Sequence, residues 1–434
     1  MEMTLPRAAA VLLATLAACQ TYRPEPLDPE DILEQVEARR SEAAQGEVLS
    51  LARAAELMRE HNPRLRDARA AHAGARALAD TPTPLPNPSV GVGPTYRDVL
   101  SSEWGAEGSL GWSVLLGGRR RITDELNAIR AEAAVVDVLG VEREEYLGLR
   151  REMAGMALAS RTVEARRELE ATVRASLDIM RRLVEAAQAT ALDVRELELE
   201  SYEAEAAVLL SREAEEEARS ALAARTGVPA DAFRAGEPPP LPAAVPSPAE
   251  LRGRLIRDHP ALARLRAEYQ VAEKELRLEI ARQYPSIDLG LLFEREEGVN
   301  KFGLGIGIEI PLFDRNQPGI ARAHARRDEV RTQFESEVGR GLAAIEAAHR
   351  RLLARRERLD LLRAKVAPAA TESLELARRS LRSGAADALR FLSVLRVERA
   401  ARLELLQAEA SVFEAWSDLE AACGAPLLRF PEEP

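Results

Sequence analysis

Residues 301–317 read KFGLGIGIEIPLFDRNQ. Phe302, Leu304, Ile306, Ile308, Ile310 and Leu312 share one parity, and Gly303, Gly305, Gly307 and Glu309 share the other. A period of two with one greasy and one small-polar side is the pattern of a half-buried strand, predicted here over 301–312. Three more stretches repeat it. In 88–98, Val90, Val92, Pro94 and Tyr96 oppose Ser89, Gly91, Gly93, Thr95 and Arg97. In 106–116, Leu110, Trp112, Val114 and Leu116 oppose Glu107, Ser109, Gly111 and Ser113. In 285–295, Ile287, Leu289, Leu291 and Phe293 oppose Asp288, Gly290 and Glu294, with Leu292 breaking the polar side. Lengths of about 9–11 residues suit tilted membrane strands. A water-soluble sheet packed on one side has the same alternation.

The flanking sequence decides between these readings. No proline occurs between Gly118 and Pro229. A helix from about Ile122 to about Ala187 runs roughly 100 Å at 1.5 Å per residue, too long for an ordinary soluble domain. Its packing seams are legible. Val338, Ile345, Leu352, Leu359 and Val366 lie seven apart, while Tyr146, Leu149, Met153, Met156, Ser160 and Val163 step by three and four. Leu192, Arg195, Leu199, Tyr202, Ala206 and Leu209 step likewise on a return helix and predict a third seam. Pro368 predicts a local kink. Turns are expected at Ala187–Ala191 and Ser383–Ala388, with Gly384 suited to a left-handed backbone and Ala187 standing in its place in the first turn.

The chain is one unit written twice. Shifted by 197 positions it overlays itself: Pro63 on Pro260, Pro88-Ser89 on Pro285-Ser286, Gly108 on Gly305, Gly227 on Gly424 and Pro229 on Pro426. Prolines and glycines punctuate structure, so their match in one register carries more than matches of alanine. The expected organisation is a first repeat over 49–233, a Pro-rich linker over 234–248 and a second repeat over 249–430. Each repeat holds helices, two strands and a long helix pair. Four strands cannot close a barrel, and open edges are not viable in lipid, so a membrane reading requires several copies. Three copies give twelve strands.

Composition excludes other classes. The 434 residues carry a formal net charge of -11, which leaves no basic excess for nucleic acid. No apolar run is long enough for an ordinary spanning helix. No catalytic motif occurs, and none of His61, His72, His259, His324 and His349 has metal-ligand spacing, so no catalytic residue, metal or cofactor is expected. Met153 and Met156 read as packing. Cys423 reads as a small buried residue at a helix end. Residues 1–18 look like a secretory signal: Arg7, then an apolar core from Ala8 to Leu16, then Leu16-Ala17-Ala18-Cys19. Small residues before a cysteine resemble a lipobox, which predicts lipidation of Cys19 and a tether over 19–48. Gln20 in the next position points to the outer membrane.

With these features the chain resembles the TolC-type outer-membrane efflux proteins, in the branch that serves resistance-nodulation-division pumps and its heavy-metal relatives. Pro311-Leu312-Phe313-Asp314-Arg315-Asn316-Gln317 is similar to that family's join between last strand and long helix. Gly117-Gly118 with Arg119-Arg120 resembles the first-repeat join, and Arg382-Ser383-Gly384 with the residues after it resembles the periplasmic hairpin tip. The resemblance implies a mainly α fold with a twelve-stranded barrel and an α-helical tunnel completed by a homotrimer. It implies no enzyme but an outer-membrane efflux duct for metal ions or small toxic compounds. The implied partners are a periplasmic adaptor, an inner-membrane pump and outer-membrane lipid. A soluble periplasmic coiled-coil scaffold is the alternative. The implied tip positions are Asp193, Ser383, Gly384, Asp387 and Arg390, with Asp193 and Arg390 expected to approach one another across neighbouring hairpins and hold the tip closed.

Overall fold

The computed structural model describes residues 22–42, 50–97, 103–232, 236–296, 299–382 and 388–428. The chain divides into two units, Met1–Ala44 and Gln45–Pro434. The described part of the first holds helix α1 (Pro29–Glu42), whose first turn is capped by Asp28 Oδ1 accepting from the Glu30 and Asp31 N–H groups.

In the second unit the order is α2 (Leu51–His61), α3 (Pro63–Ala79), β1 (Ser89–Arg97), β2 (Glu103–Leu115), α4 (Arg119–Glu185) and α5 (Ala191–Thr226). Then follow α6 (Pro248–Asp258), α7 (Pro260–Ala281), β3 (Ser286–Glu296), β4 (Val299–Ile308), α8 (Gln317–Leu361), α9 (Ala367–Arg382) and α10 (Ala388–Cys423). The same local chemistry recurs in both halves. Ser50 and Ser247 each accept a hydrogen bond from the N–H three residues on, Arg53 at 3.1 Å and Glu250 at 3.3 Å, and so start α2 and α6. Pro63 and Pro260 open α3 and α7, where their missing N–H costs nothing. Gly227 and Gly424 end α5 and α10 at φ 75° and 69°. A Cβ on Gly227 would lie 2.7 Å from the His61 carbonyl, and one on Gly424 2.6 Å from the His259 Cα. Each return helix therefore stops against the break between the two short helices of its half.

The four strands form one antiparallel sheet in the order β1-β2-β3-β4. Each strand is continued by a helix: α3 leads into β1, β2 into α4, α7 into β3 and β4 into α8. The helices keep the same order sideways, α3 beside α4, α4 beside α7, α7 beside α8. Farther from the sheet the row becomes α5, α4, α10 and then α8 with α9. With 67 residues, α4 runs roughly 100 Å and belongs to both rows.

Two of the predicted seams are buried. Ile345, Leu352 and Leu359 on α8 and Leu149, Met156 and Val163 on α4 are all closed off from solvent. The third is not buried within the chain: Leu192, Leu199, Tyr202 and Leu209 on α5 stand exposed, and the stripe buried against the chain's own helices is Leu197, Glu200, Ala204, Val208 and Ser211. The Pro368 kink takes the form of a π turn over Leu362–Val366, in which the Ala367 N–H bonds the Leu362 carbonyl. Proline cannot donate to the carbonyl four residues back, and one extra residue in the preceding turn absorbs the misfit. The strand ends also differ from expectation. β2 begins at Glu103, and β4 stops at Ile308, so Ile310 and Leu312 lie in the irregular segment over 309–316 that leads into α8.

Candidate functional site

The sheet separates two chemistries. Register pairs Val90 with Leu110, Leu110 with Leu291 and Leu291 with Leu304. Along the same face Trp112 meets Leu289, Leu289 meets Ile306, and Phe293 meets Phe302 with ring centroids 5.2 Å apart. Among the described residues no helix covers this face: Val92 is 86% and Phe302 81% exposed. Tyr96 lies at the loop end of β1, while Trp112 lies near the helix end of β2 and donates from Nε1 to the Pro86 carbonyl at 2.9 Å. The opposite face carries Glu107 beside Glu294, with Lys301 Nζ 3.7 Å from Glu294, and Ser113 donating to Asp288. β1 and β4 are both open edges. Among the described residues no helix is long and apolar enough to cross a membrane, which leaves a barrel untouched by that test.

Both strand-to-helix joins clamp onto the end of α7. At the first, Gly117 and Gly118 take φ 75° and 68°. A Cβ on Gly117 would lie 2.8 Å from the Tyr284 ring, so only glycine fits. Arg119 donates to the Ala281 and Arg282 carbonyls, each at 3.3 Å. At the second join, Arg315 donates from Nε to the Pro311 carbonyl at 3.1 Å, and Gln317 from Nε2 to the Phe313 carbonyl at 3.2 Å. Asp314 Oδ1 accepts from the Asn316 N–H at 2.8 Å. Asn316 is left-handed at φ 57° and donates to the Glu279 carbonyl and carboxylate at 2.9 and 2.6 Å. The polar run thus folds onto itself while Leu312 and Phe313 point to solvent. Glu279 completes this join, and its position 37 residues upstream gave no sequence signal.

At the far end of the helices, the first turn spans Ala186–Thr190. Ala187 takes the left-handed conformation at φ 58°, so this turn is built on alanine in the way glycine would build it. Gln188 N–H bonds the Leu183 carbonyl at 2.8 Å and Ala187 N–H the Val184 carbonyl at 2.9 Å, a Schellman closure. Asp193 is drawn into a capping box: its carboxylate accepts from the Thr190 N–H at 2.7 Å, and its own N–H donates to Thr190 Oγ1. Arg390 is exposed on α10, where its carbonyl accepts from Ser393 Oγ at 2.8 Å. Ser383, Gly384 and Asp387 lie outside the described residues, as does Cys19.

Unpredicted buried charges tie the helices together. Glu200, on the buried stripe of α5, accepts from Arg396 and, at 2.8 Å, from Arg399 of α10. Arg150 of α4 and Glu420 of α10 are both 1% exposed, and the Glu420 carboxylate also accepts from the Leu427 and Leu428 N–H groups at 2.6 and 2.7 Å. Burial raises the Glu420 carboxyl above its ordinary range even though Arg150 opposes the shift. Cys423 is fully buried, and burial pushes its thiol up to about 11, so it packs rather than reacts. Among the described residues no cluster of His, Cys, Asp or Glu could hold a metal ion.

Residues 251–425 match the family described as outer membrane efflux protein. Over 247 residues the chain is 26% identical to the cobalt-zinc-cadmium resistance protein CzcC of Cupriavidus metallidurans, an alignment covering 56% of this chain and 59% of that relative. The solved outer-membrane channel OprN superposes with a TM-score of 0.72 at 20% identity, over 86% of this chain and 90% of its own. CusC gives 0.69 at 16% identity, over 86% and 92%. The outer membrane protein VceC of Vibrio cholerae gives 0.69 at 18% identity, over 87% and 96%. The fold is that of the TolC-like outer-membrane channels, as the sequence resemblance implied. Within that class, the second half of this chain carries the outer membrane efflux protein family match.

Proposed function

We propose that this chain is the outer-membrane duct of a tripartite efflux system. The observation that carries the reading is the sheet, with one uncovered face that is apolar except for the paired Arg295 and Asn300 at its loop end, one mostly polar face and two open edges. Unpaired edges and a bare apolar face are costly in water, and the edges are costly in lipid too. Joining β4 of one copy to β1 of the next removes both edges. Three copies of a four-stranded sheet give a twelve-stranded barrel whose apolar face meets lipid and whose polar face lines water. The helices then extend the passage into the periplasm, where the tip around 186–190 and 383–387 meets the adaptor and inner-membrane pump. Cys19 is the lipid anchor. The likeness to CzcC favours divalent metal cations as cargo, with other small toxic compounds as the wider class. Catalysis has no part in such a duct: the pump supplies the energy, and the duct supplies a path.

Fractionation of expressing cells together with planar-bilayer recording of the purified protein tests the reading. Recovery with the outer membrane and discrete single-channel conductance are expected. Recovery in the soluble fraction would overturn it in favour of a periplasmic scaffold.

A further inference from the structure

The two halves close their helix breaks with different chemistry. In the first half Asn62 is buried and fully engaged. Its Oδ1 accepts from the Leu65 N–H at 3.0 Å, and its Nδ2 donates to the Arg225 carbonyl at 2.7 Å and the Glu145 carboxylate at 2.9 Å. Arg225 in turn pairs with Glu145 at 2.8 Å and Glu152 at 2.7 Å. His259 holds the same place in the second half, between α6 and α7. Its side chain makes no cap bond to the start of α7, and its Nδ1 is buried without a hydrogen-bond partner. At the shift of 197 Glu145 falls on Leu342 and Arg225 on Ala422, so the charged network is not repeated.

The end of α10 presses on this break: a Cβ on Gly424 would lie 2.6 Å from the His259 Cα and 2.9 Å from the Pro260 Cδ. Around it α4 supplies Glu144 and Arg143, whose guanidinium takes the Gly424 carbonyl at 3.0 Å. From α8 comes Glu337, already paired with Arg340 at 2.5 Å, from α10 come buried Cys423 and Glu420, and Asp258 precedes the ring on α6. None of these groups bonds Nδ1. A neutral imidazole tolerates that, because one of its nitrogens is a bare acceptor. An imidazolium carries N–H on both nitrogens, so protonation places a buried donor where no acceptor waits. Burial accordingly holds the imidazole below its ordinary range, with Glu337 and Glu144 opposing the shift. The folded ring thus binds a proton less readily than the unfolded one, and the break is firmest above the ordinary histidine range and weakens as pH falls through it.

We propose that the second break is an acid-sensitive joint: the clasp between the α6–α7 break and the end of α10 holds while the His259 ring is neutral and loosens when the ring takes a proton. The Asn62 break has no titrating ring and keeps its hydrogen bonds. Acid therefore loosens one half of the chain at a defined point and leaves the other closed. The joint stands or falls independently of the duct reading, which fractionation tests.

Hydrogen exchange read by mass spectrometry on the purified full chain tests this, with the first break as a built-in control. The exchange is followed between about pH 7.5 and about pH 5.5, and the intrinsic pH dependence of amide exchange is divided out. Opening over 251–262 should rise about ten-fold, the effect of a proton affinity that differs by about one pH unit between closed and open forms, while opening over 54–65 stays within about two-fold. His259→Asn supplies the side chain that caps α3 in the first half, and it should remove the rise. Equal rises at the two breaks, no rise at either, or a rise that persists in His259→Asn overturns the proposal. Should His259→Asn fail to fold, the comparison of the two breaks in the wild-type chain decides alone.

Discussion

Single residues set the turns. Ala187 holds a left-handed backbone that costs a non-glycine residue about 1–2 kcal/mol. Ala187→Gly is therefore expected to raise thermal stability of the trimer, by about 1 kcal/mol per chain after glycine's greater unfolded-state entropy is counted. Gly424→Ala should lower it, because the added Cβ meets the His259 backbone as well as the unfavourable φ. A melt showing both changes neutral would contradict this account. Arg150 poses a second case. Arg150→Met leaves the Glu420 carboxylate buried without its cation, a loss of about 3–5 kcal/mol at pH 8. Burial already raises that carboxyl, and losing Arg150 raises it further. A raised carboxyl favours the folded state at low pH and loses that advantage as pH rises. The deficit should shrink between pH 8 and pH 5, as read by denaturant unfolding at each pH; a pH-independent deficit would point to lost packing alone.

Among elements, the sheet is the most demanding. Leu291 sits mid-sheet on the apolar face, paired with Leu110 and Leu304, while Ser109 sits on the polar face of β2. Leu291→Arg is expected to cost about 2–4 kcal/mol if that face meets the bilayer core, and to deplete folded trimer in lipid. Ser109→Lys should leave assembly intact, because a water-filled lumen solvates the ammonium. Equal yields of trimer for the two variants would mean that the apolar face does not meet lipid. At the tip, Asp193 works first as a helix cap: Asp193→Ala should cost about 1 kcal/mol locally. If Asp193 also pairs with Arg390 of a neighbouring hairpin, single-channel recordings of Asp193→Ala and Arg390→Ala should show the same rise in open probability. A change in Asp193→Ala alone would assign the effect to the cap.

For the whole molecule, the orientation of the sheet fixes a topology. The helices leave β2 and β4 at the ends opposite the β1–β2 and β3–β4 connections. With the helices in the periplasm, the strand ends at Arg97, Glu103, Glu296 and Val299 are expected on the exterior side, and positions 101 and 298 between them serve as probes. Cysteines placed there should react with a membrane-impermeant maleimide on intact cells. Labelling that requires outer-membrane rupture would reverse the orientation. Deleting the duct should sensitise cells to cobalt, zinc or cadmium if metals are its cargo, and to dyes but not metals if they are not.

Period-two alternation determined the strands and their two faces from sequence alone, because side chains on a strand must point alternately whatever its neighbours are. The helix breaks at Asn62-Pro63 and His259-Pro260 have a similarly local cause: Pro63 and Pro260 each force the preceding residue out of the helical conformation. The 314–317 run was recognised as a join from its likeness to the family, and the hydrogen bonds of Asp314, Arg315 and Gln317 there stay within four residues, while Asn316 reaches Glu279. What the sequence left undecided was which face of a helix is inside. On α5 the stripe Leu192, Leu199, Tyr202, Leu209 is more apolar than Leu197, Glu200, Ala204, Val208, yet the second is buried. Periodicity identifies both stripes; only the position of α4 and α10 chooses between them. The Glu200, Glu279 and Glu420 clamps escaped for the same reason. An isolated glutamate in a helix reads as solvated until tertiary structure brings Arg396, Asn316 or Arg150 to it from 37 to 270 residues away.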